Sequence, residues 1–263
     1  MAGEQSSTTR RRVFGALLFV PVIVLFLVSP VTAQWAFMAL ALVMAWELAL
    51  MLAMHPALRF SLLFDIALFA LPAPLVTGME THAGFALWPV FAALAALITA
   101  FVWMTGANRL AALFTACLLL CVFSAREILG FEGGHVILLA IAAIVAACDI
   151  AAYFVGRRVG GPRLAPVLSP KKTQSGAIGG LLGAVLVAVL VGRYLSLSTG
   201  EAMVAGICIA VLAQSGDLLE SALKRHLDVK DSGRLIPGHG GFLDRFDGYL
   251  LTLPAIYLYM VMA

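Results

Sequence analysis

Residues 136–154 read VILLAIAAIVAACDIAAYF, 19 consecutive residues in which Asp149 carries the only charge. A helix that crosses the hydrocarbon of a bilayer needs about 20 mostly apolar residues. The stretch therefore predicts a membrane-spanning helix. Similar stretches run at 13–29, 35–54, 60–77, 84–104, 110–124, 177–191, 202–219 and 248–262. The expected fold is all-α: a polytopic integral membrane protein with about nine transmembrane helices. The first stretch follows Arg10, Arg11 and Arg12, as a signal peptide would. No small-x-small site ends it before Pro30, and it is read as a retained helix.

The rest of the chain agrees. Of its 263 residues, 62% are hydrophobic and 12% charged, where an average soluble domain has roughly 25% charged. Mean hydropathy is +1.03. Four cysteines are too few for a disulfide scaffold. These values exclude a soluble enzyme, a disordered chain and a secreted mini-protein, and no nucleic-acid partner is expected. The spans leave no room for a soluble domain, so any chemistry is expected at the membrane face. The chain divides into a polar tail at 1–12, N-terminal helices at 13–135 and a C-terminal catalytic region at 136–263. With the N-terminus inside, all of the 17 lysines and arginines except Arg126 and Arg193 fall in cytoplasmic segments. The positive-inside rule thus predicts a cytoplasmic N-terminus.

Two loops on that side are long, at about 156–176 and 220–247. The stretch 217–247 holds six of the 14 acids: Asp217, Glu220, Asp228, Asp231, Asp244 and Asp247. Asp217, Glu220, Ser221 and Lys224 follow i, i+3, i+4, i+7 and share a helix face. Asp244 and Asp247 repeat the i, i+3 spacing where the last span begins. Two helix ends, each with a carboxylate pair, could converge on a divalent cation, and hard oxygen ligands suit Mg²⁺. The alternative is a set of acids paired with Lys224, Arg225 and Arg245. Between the pairs lies Pro237-Gly238-His239-Gly240-Gly241, either a plain turn or a nest of backbone N–H groups for phosphate.

The first loop carries Arg157, Arg158, Lys171 and Lys172, which could serve topology alone or meet anionic headgroups. Asp149 and Tyr153 precede it at i, i+4, and a role at the same polar site is expected of them. Glu47 and Asp65 could pair with Arg59 or Arg109 or line a cavity, and structural pairing is the favoured reading. The cysteines read as packing residues. Gly179, Gly180 and Gly183 suggest close helix contact.

The run Ser221-x-x-Lys224-Arg225-x4-Lys230-Asp231-x5-Pro237-Gly238-His239-Gly240-Gly241-x-x-Asp244-Arg245-x-Asp247 resembles the signature of the phosphatidate cytidylyltransferases, or CDP-diacylglycerol synthases. Gln214-x-Gly216-Asp217-Leu218-x-Glu220 and Ser169-Pro170-Lys171-Lys172-Thr173 are similar to the family as well. Where the family has Asp-Ser/Thr-Gly-Ala-Tyr, this chain has Asp149-Ile150-Ala151-Ala152-Tyr153. It also has Gln174 and Ser175 where the family has Trp and an acidic or small residue.

The resemblance implies transfer of a cytidylyl group from CTP to phosphatidate, with release of pyrophosphate. It implies Asp217, Lys224, Asp244 and Asp247 as catalytic residues. Asp217, Glu220, Asp244 and Asp247 would hold Mg²⁺, with K⁺ as a further cation. Ser221, Arg225, Lys230, Asp231 and Arg245 would meet the substrates, with His239, Gly240 and Gly241 shaping the turn. Lys171, Lys172 and Thr173 are further phosphate or CTP contacts. It also implies membrane lipids as partners and a homodimer; a bacterial inner-membrane location is expected because no organelle-targeting segment is evident. Asp244-x-x-Asp247-Gly248 is similar to the CDP-alcohol phosphotransferase motif too, but Tyr249-Leu250-Leu251-Thr252 lacks that motif's later acids. An ion-coupled transporter using Glu47, Asp65 and Asp149 would need inverted repeats, which the sequence does not show.

Overall fold

The structure, a computed structural model, describes residues 19–54, 59–60, 62–63, 66–67, 70, 109–233, 235–236 and 240–262. The expected span at 84–104, most of that at 60–77, the tail at 1–12, Asp65, Arg234 and His239 lie outside the described residues.

Helices α1 (Phe19–Val28) and α2 (Pro30–Met51) are divided at Ser29. Its hydroxyl accepts from the Thr32 amide at 3.1 Å, the Thr32 hydroxyl accepts from the Ser29 amide at 3.1 Å, and Pro30 opens the first turn. The reciprocal bonds satisfy donors that a helix start leaves open. Then come α3 (Arg109–Gly130), α4 (Gly134–Val159), α5 (Gln174–Gly192), α6 (Thr199–His226) and α7 (Tyr249–Met262). Helices α2 to α6 are long and apolar enough to cross a membrane, and α7 is apolar but has 14 residues.

One element departs from the all-α expectation. Strands β1 (Arg163–Ala165) and β2 (Ser169–Thr173) form an antiparallel hairpin between α4 and α5, with Arg163 opposite Thr173 and Ala165 opposite Ser169. Pro162, Pro166 and Pro170 punctuate this segment. Proline removes an amide donor and clashes with a preceding helical turn, so the segment cannot continue either helix.

Glycine governs how α4 and α5 meet. A Cβ placed on Gly179 would lie 2.5 Å from the Val155 Cβ, and one on Gly183 would lie 2.5 Å from the Ala151 Cβ. Gly180 faces Cys148 and Ala152 in the same seam. Small residues bring two helix backbones together where no water is present to drive association. The opposite side of α5 shows Ile178, Leu182, Leu186 and Leu190, each more than half exposed. A hydrocarbon solvent tolerates such a stripe. Elsewhere α3 packs on α7, with Phe114, Leu118 and Leu119 of α3 and Leu250 of α7 fully buried. Phe123 and Tyr257 meet edge to face with ring centroids 5.7 Å apart.

The glycine seam makes a prediction. Gly179→Val should force α4 and α5 apart and destabilise the protein by about 1–3 kcal/mol, the usual penalty of overpacking. Denaturation in detergent micelles measures this. Unchanged stability would mean that the seam is looser than it looks.

Candidate functional site

Helix α6 brings most of the site together. It starts at a capping box, in which the Ser198 hydroxyl accepts from the Glu201 amide at 3.2 Å and the Glu201 carboxylate accepts from the Ser198 amide at 2.8 Å. It ends on Lys224, Arg225 and His226, and the positive charges of Lys224 and Arg225 complement the carbonyl end of the helix. Between these ends it runs unbroken for 28 residues. Asp217, Glu220, Ser221 and Lys224 therefore do share a face. The Ser221 hydroxyl donates to Asp217 Oδ1 at 3.4 Å.

Lys224 joins α6 to the turn before α7. Its Nζ lies 2.6 Å from Asp244 Oδ1 and 3.4 Å from Glu220 Oε1. Asp244 sits in a 3₁₀ turn (Leu243–Arg245), and its Oδ2 accepts from the amides of Gly241 at 2.8 Å and Ser232 at 3.0 Å. Both carboxylate oxygens are thus engaged. Burial works against ionisation of Asp244. The Lys224 ammonium and the two amides outweigh it and hold the carboxyl below the usual carboxylate range. Gly240 makes the turn possible. Its φ is +84°, a conformation L side chains rarely adopt, and its carbonyl accepts from the Ile236 amide at 3.1 Å.

Asp247 follows the turn, and its Oδ1 accepts from the Gly248 amide at 2.7 Å. Its backbone lies against α6 at Gly216, where any Cβ would collide with the Asp247 carbonyl. Burial and then the negative charge of Asp217 push the Asp247 carboxyl up to about 7.

The hairpin supplies the third wall. Lys172 on β2 forms an ion pair with Asp217. Thr173 is buried and its hydroxyl accepts from the Gly176 amide at 3.1 Å, so it caps α5. The Arg225 Nε donates to the Leu168 carbonyl at 3.4 Å. Asp149 on α4 lies near enough to feel the charges of Asp217, Lys172 and Arg245. Lys171, Lys230, Asp231 and Arg245 are exposed around the cluster.

The structure therefore brings together Asp217, Glu220, Ser221, Lys224, Asp244, Asp247 and Lys172, and leaves Lys171, Lys230 and Asp231 on the rim. It does not gather the four acids into one ligand set. Among the described residues, no group of three acidic, histidine or cysteine side chains is arranged to hold a metal ion. The physical reason is that lysines stand in the way, Lys172 on Asp217 and Lys224 on Asp244.

The donor chemistry still fits a hard cation. Glu220 is fully buried; Lys224 Nζ stands 3.4 Å from its Oε1, and neither carboxylate oxygen makes a well-formed hydrogen bond among the described residues. The charges of Asp247 and Asp244 both bear on it.

Two contributors escaped the sequence reading. Ser232 uses its amide and its hydroxyl to hold Asp244, the hydroxyl accepting from the Asp244 amide at 3.3 Å. Gln214 donates from Nε2 to the Ala177 carbonyl at 3.2 Å and ties α6 to α5 one turn before Asp217. A serine inside a charged loop gives no signal of such a contact. Gln214 lay inside a quoted motif but had no role assigned.

Comparison with known proteins bears on this cluster. The sequence profile of the cytidylyltransferase family matches residues 9–263. A phosphatidate cytidylyltransferase of Brucella suis biovar 1 (strain 1330) is 45% identical over 118 residues, which cover 44% of this chain and 44% of that protein. One from Staphylococcus saprophyticus subsp. saprophyticus is 40% identical over 132 residues, covering 49% of this chain and 50% of that protein. The similarity thus spans about half, or less, of the length of these curated relatives.

The ion-pair geometry predicts the behaviour of Lys224. Lys224→Met should destabilise the protein by about 3–5 kcal/mol, because it strands two carboxylates in a buried site. Adding Glu220→Gln should recover part of the loss by removing one stranded charge. Unfolding of the two single variants and the double variant gives the coupling directly. Strict additivity would mean that Lys224 and Glu220 do not interact.

Proposed function

Because the chain belongs to the cytidylyltransferase family, we propose that it transfers the cytidylyl group of CTP to phosphatidate at a membrane face. The products are CDP-diacylglycerol and pyrophosphate. The observation that carries this reading is the arrangement at one end of α6, where half-buried Asp217 meets Lys172, and buried Glu220 and Asp244 share Lys224, ammonium groups that a phosphate could claim.

The reaction needs no serine, cysteine or histidine nucleophile. A phosphate oxygen of phosphatidate attacks the α-phosphorus of CTP, a new P–O bond forms, and the bond from the α-phosphorus to the bridging oxygen breaks. Pyrophosphate leaves with that electron pair. The difficulty is bringing two polyanions together. Lys172 and Lys224 supply ammonium groups for the phosphate oxygens, and Arg225, Lys230 and Arg245 add charge around the rim. As the lysines turn toward phosphate, Asp217 and Asp244 are released. Asp217, Glu220 and Asp247, with Asp244 after exchange, are the residues that would hold Mg²⁺, and a K⁺ site could adjoin them. Bound there, the cation neutralises triphosphate charge and favours in-line displacement. Thr173 contributes by capping α5, which fixes where Lys172 stands.

In this reading the chain spans a bacterial inner membrane about nine times, with its N-terminus and the site in the cytoplasm and with a homodimer as the assembly. The distribution of lysine and arginine supports the orientation. Single cysteines replacing Lys171, Lys230 and Arg193 in a cysteine-free background test it. An impermeant thiol reagent applied to intact cells should label only position 193. Labelling at 171 or 230 would reverse the orientation.

The decisive assay is CTP-dependent release of pyrophosphate and formation of CDP-diacylglycerol by the purified protein. Asp247→Asn should lower turnover per folded molecule on the order of a hundredfold or more, as expected when electrostatic stabilisation of the transition state is lost. Excess Mg²⁺ should partly restore it. Asp217→Asn should behave in the same way. Near-normal turnover in both variants would remove these residues from any cation site.

A further inference from the structure

Glu47 lies in α2, far in sequence from the site, and is only 1% exposed. The sequence suggested an arginine partner for it. Arg59 instead donates from Nε to the Met54 carbonyl at 2.7 Å. Glu47 Oε2 reaches across 196 positions of chain and accepts from the Leu243 amide at 2.7 Å. The Ser232 hydroxyl lies 3.4 Å from the same oxygen and donates to it. Two glycines leave room for this carboxylate. A Cβ on Gly233 would collide with Oε1, and one on Gly241 would come within 2.9 Å of Oε2.

The structure assigns Glu47 as the positioning residue of the phosphate-site loop, a buried hydrogen-bond acceptor that fixes Ser232 and Leu243 and so sets the place of Asp244 and Lys224. The path is continuous. Glu47 holds the Ser232 hydroxyl, which accepts from the Asp244 amide at 3.3 Å. Glu47 also holds the amide of Leu243, the residue before Asp244 in the 3₁₀ turn. Asp244 Oδ1 then takes Lys224 at 2.6 Å. Loop amides that would otherwise be buried without partners gain an acceptor from a rigid helix. An acceptor on a helix holds a loop more tightly than one on another loop would. This role rests on the activity proposed above only where turnover is the readout.

The test compares Glu47→Leu with Glu47→Gln in the full-length protein in micelles. Leucine keeps the approximate volume and removes the acceptor, whereas glutamine keeps an acceptor oxygen. Hydrogen exchange of peptides covering 231–243 reads the loop without reference to activity. Glu47→Leu should lose protection there while α4 and α5 keep theirs, and Glu47→Gln should stay near wild type. In the turnover assay, Glu47→Leu should lower kcat about tenfold to a hundredfold, the scale of a misplaced catalytic group. Its KM for CTP should change much less. Glu47→Gln should stay within about threefold of wild type, the scale of one weakened hydrogen bond.

Unchanged exchange at 231–243 in Glu47→Leu would overturn the assignment. Equal loss in both variants would overturn it as well, because the acceptor would not be what matters. If Glu47→Leu loses protection throughout the chain, Gly233→Ala carries the test. It leaves Glu47 in place but drives a methyl group into its carboxylate, and it should loosen the same peptides alone; wild-type exchange there would overturn the role. A wild-type protein that makes no CDP-diacylglycerol would remove the proposed activity and leave the exchange result standing.

Discussion

The Lys224 ammonium lies between Asp244 and Glu220 in a place water barely reaches, and the site is arranged around that contact. Charges attract strongly where the dielectric is low, but taking them from water costs several kcal/mol each. The arrangement holds only because other groups share the burden. Two backbone amides hold Asp244 from the other side. Those amides belong to a loop whose chain reversal requires the positive φ of Gly240. A helix, a loop and a short turn are therefore positioned together by one lysine.

Close backbone contact gives this polar cluster its rigid frame. The glycines of α5 let it lie directly on α4, and Thr173 caps α5 at the point where the hairpin ends. Lys172 is the residue before that cap, so its ammonium is carried to Asp217 by a fixed strand end. Gly216 does the same for the opposite wall by letting the backbone of Asp247 touch α6. At each of these positions an absent side chain decides how close a charged one can come. The acids are then close enough to repel one another, and burial with the charge of Asp217 lifts the Asp247 carboxyl to about 7. Such a surplus of negative charge favours any cation that can enter, whether a lysine or a metal.

Much of this was legible in the sequence. Apolar runs of about 20 residues located helices α2 to α6, because a bilayer demands length and apolarity and little else. The i, i+3, i+4, i+7 spacing put Asp217, Glu220, Ser221 and Lys224 on one face, since 3.6 residues per turn allow no other outcome on a straight helix. The glycine seam was visible as three small residues in an apolar run. The hairpin was legible only as a loop. Its prolines excluded a helix, but pairing between Arg163 and Thr173 depends on where α4 and α5 hold its two ends.

Contacts between distant segments were decided by the tertiary structure. Periodicity says which residues share a face and nothing about what stands opposite. The acids read as one convergent set are divided between two lysines, because α6, β2 and the turn approach from three directions. Thr173, read as a phosphate contact, turns its hydroxyl to a helix end. Glu47, read as half of an arginine pair, instead accepts an amide 196 positions away, and no local pattern encodes that separation. Hydrogen bonds and ion pairs act over about 3–4 Å. The sequence by itself thus determined the helices, their apolar length and the composition of the charged face. Only the packed fold decided which buried charge meets which partner, because packing alone brings groups from separate segments within that range.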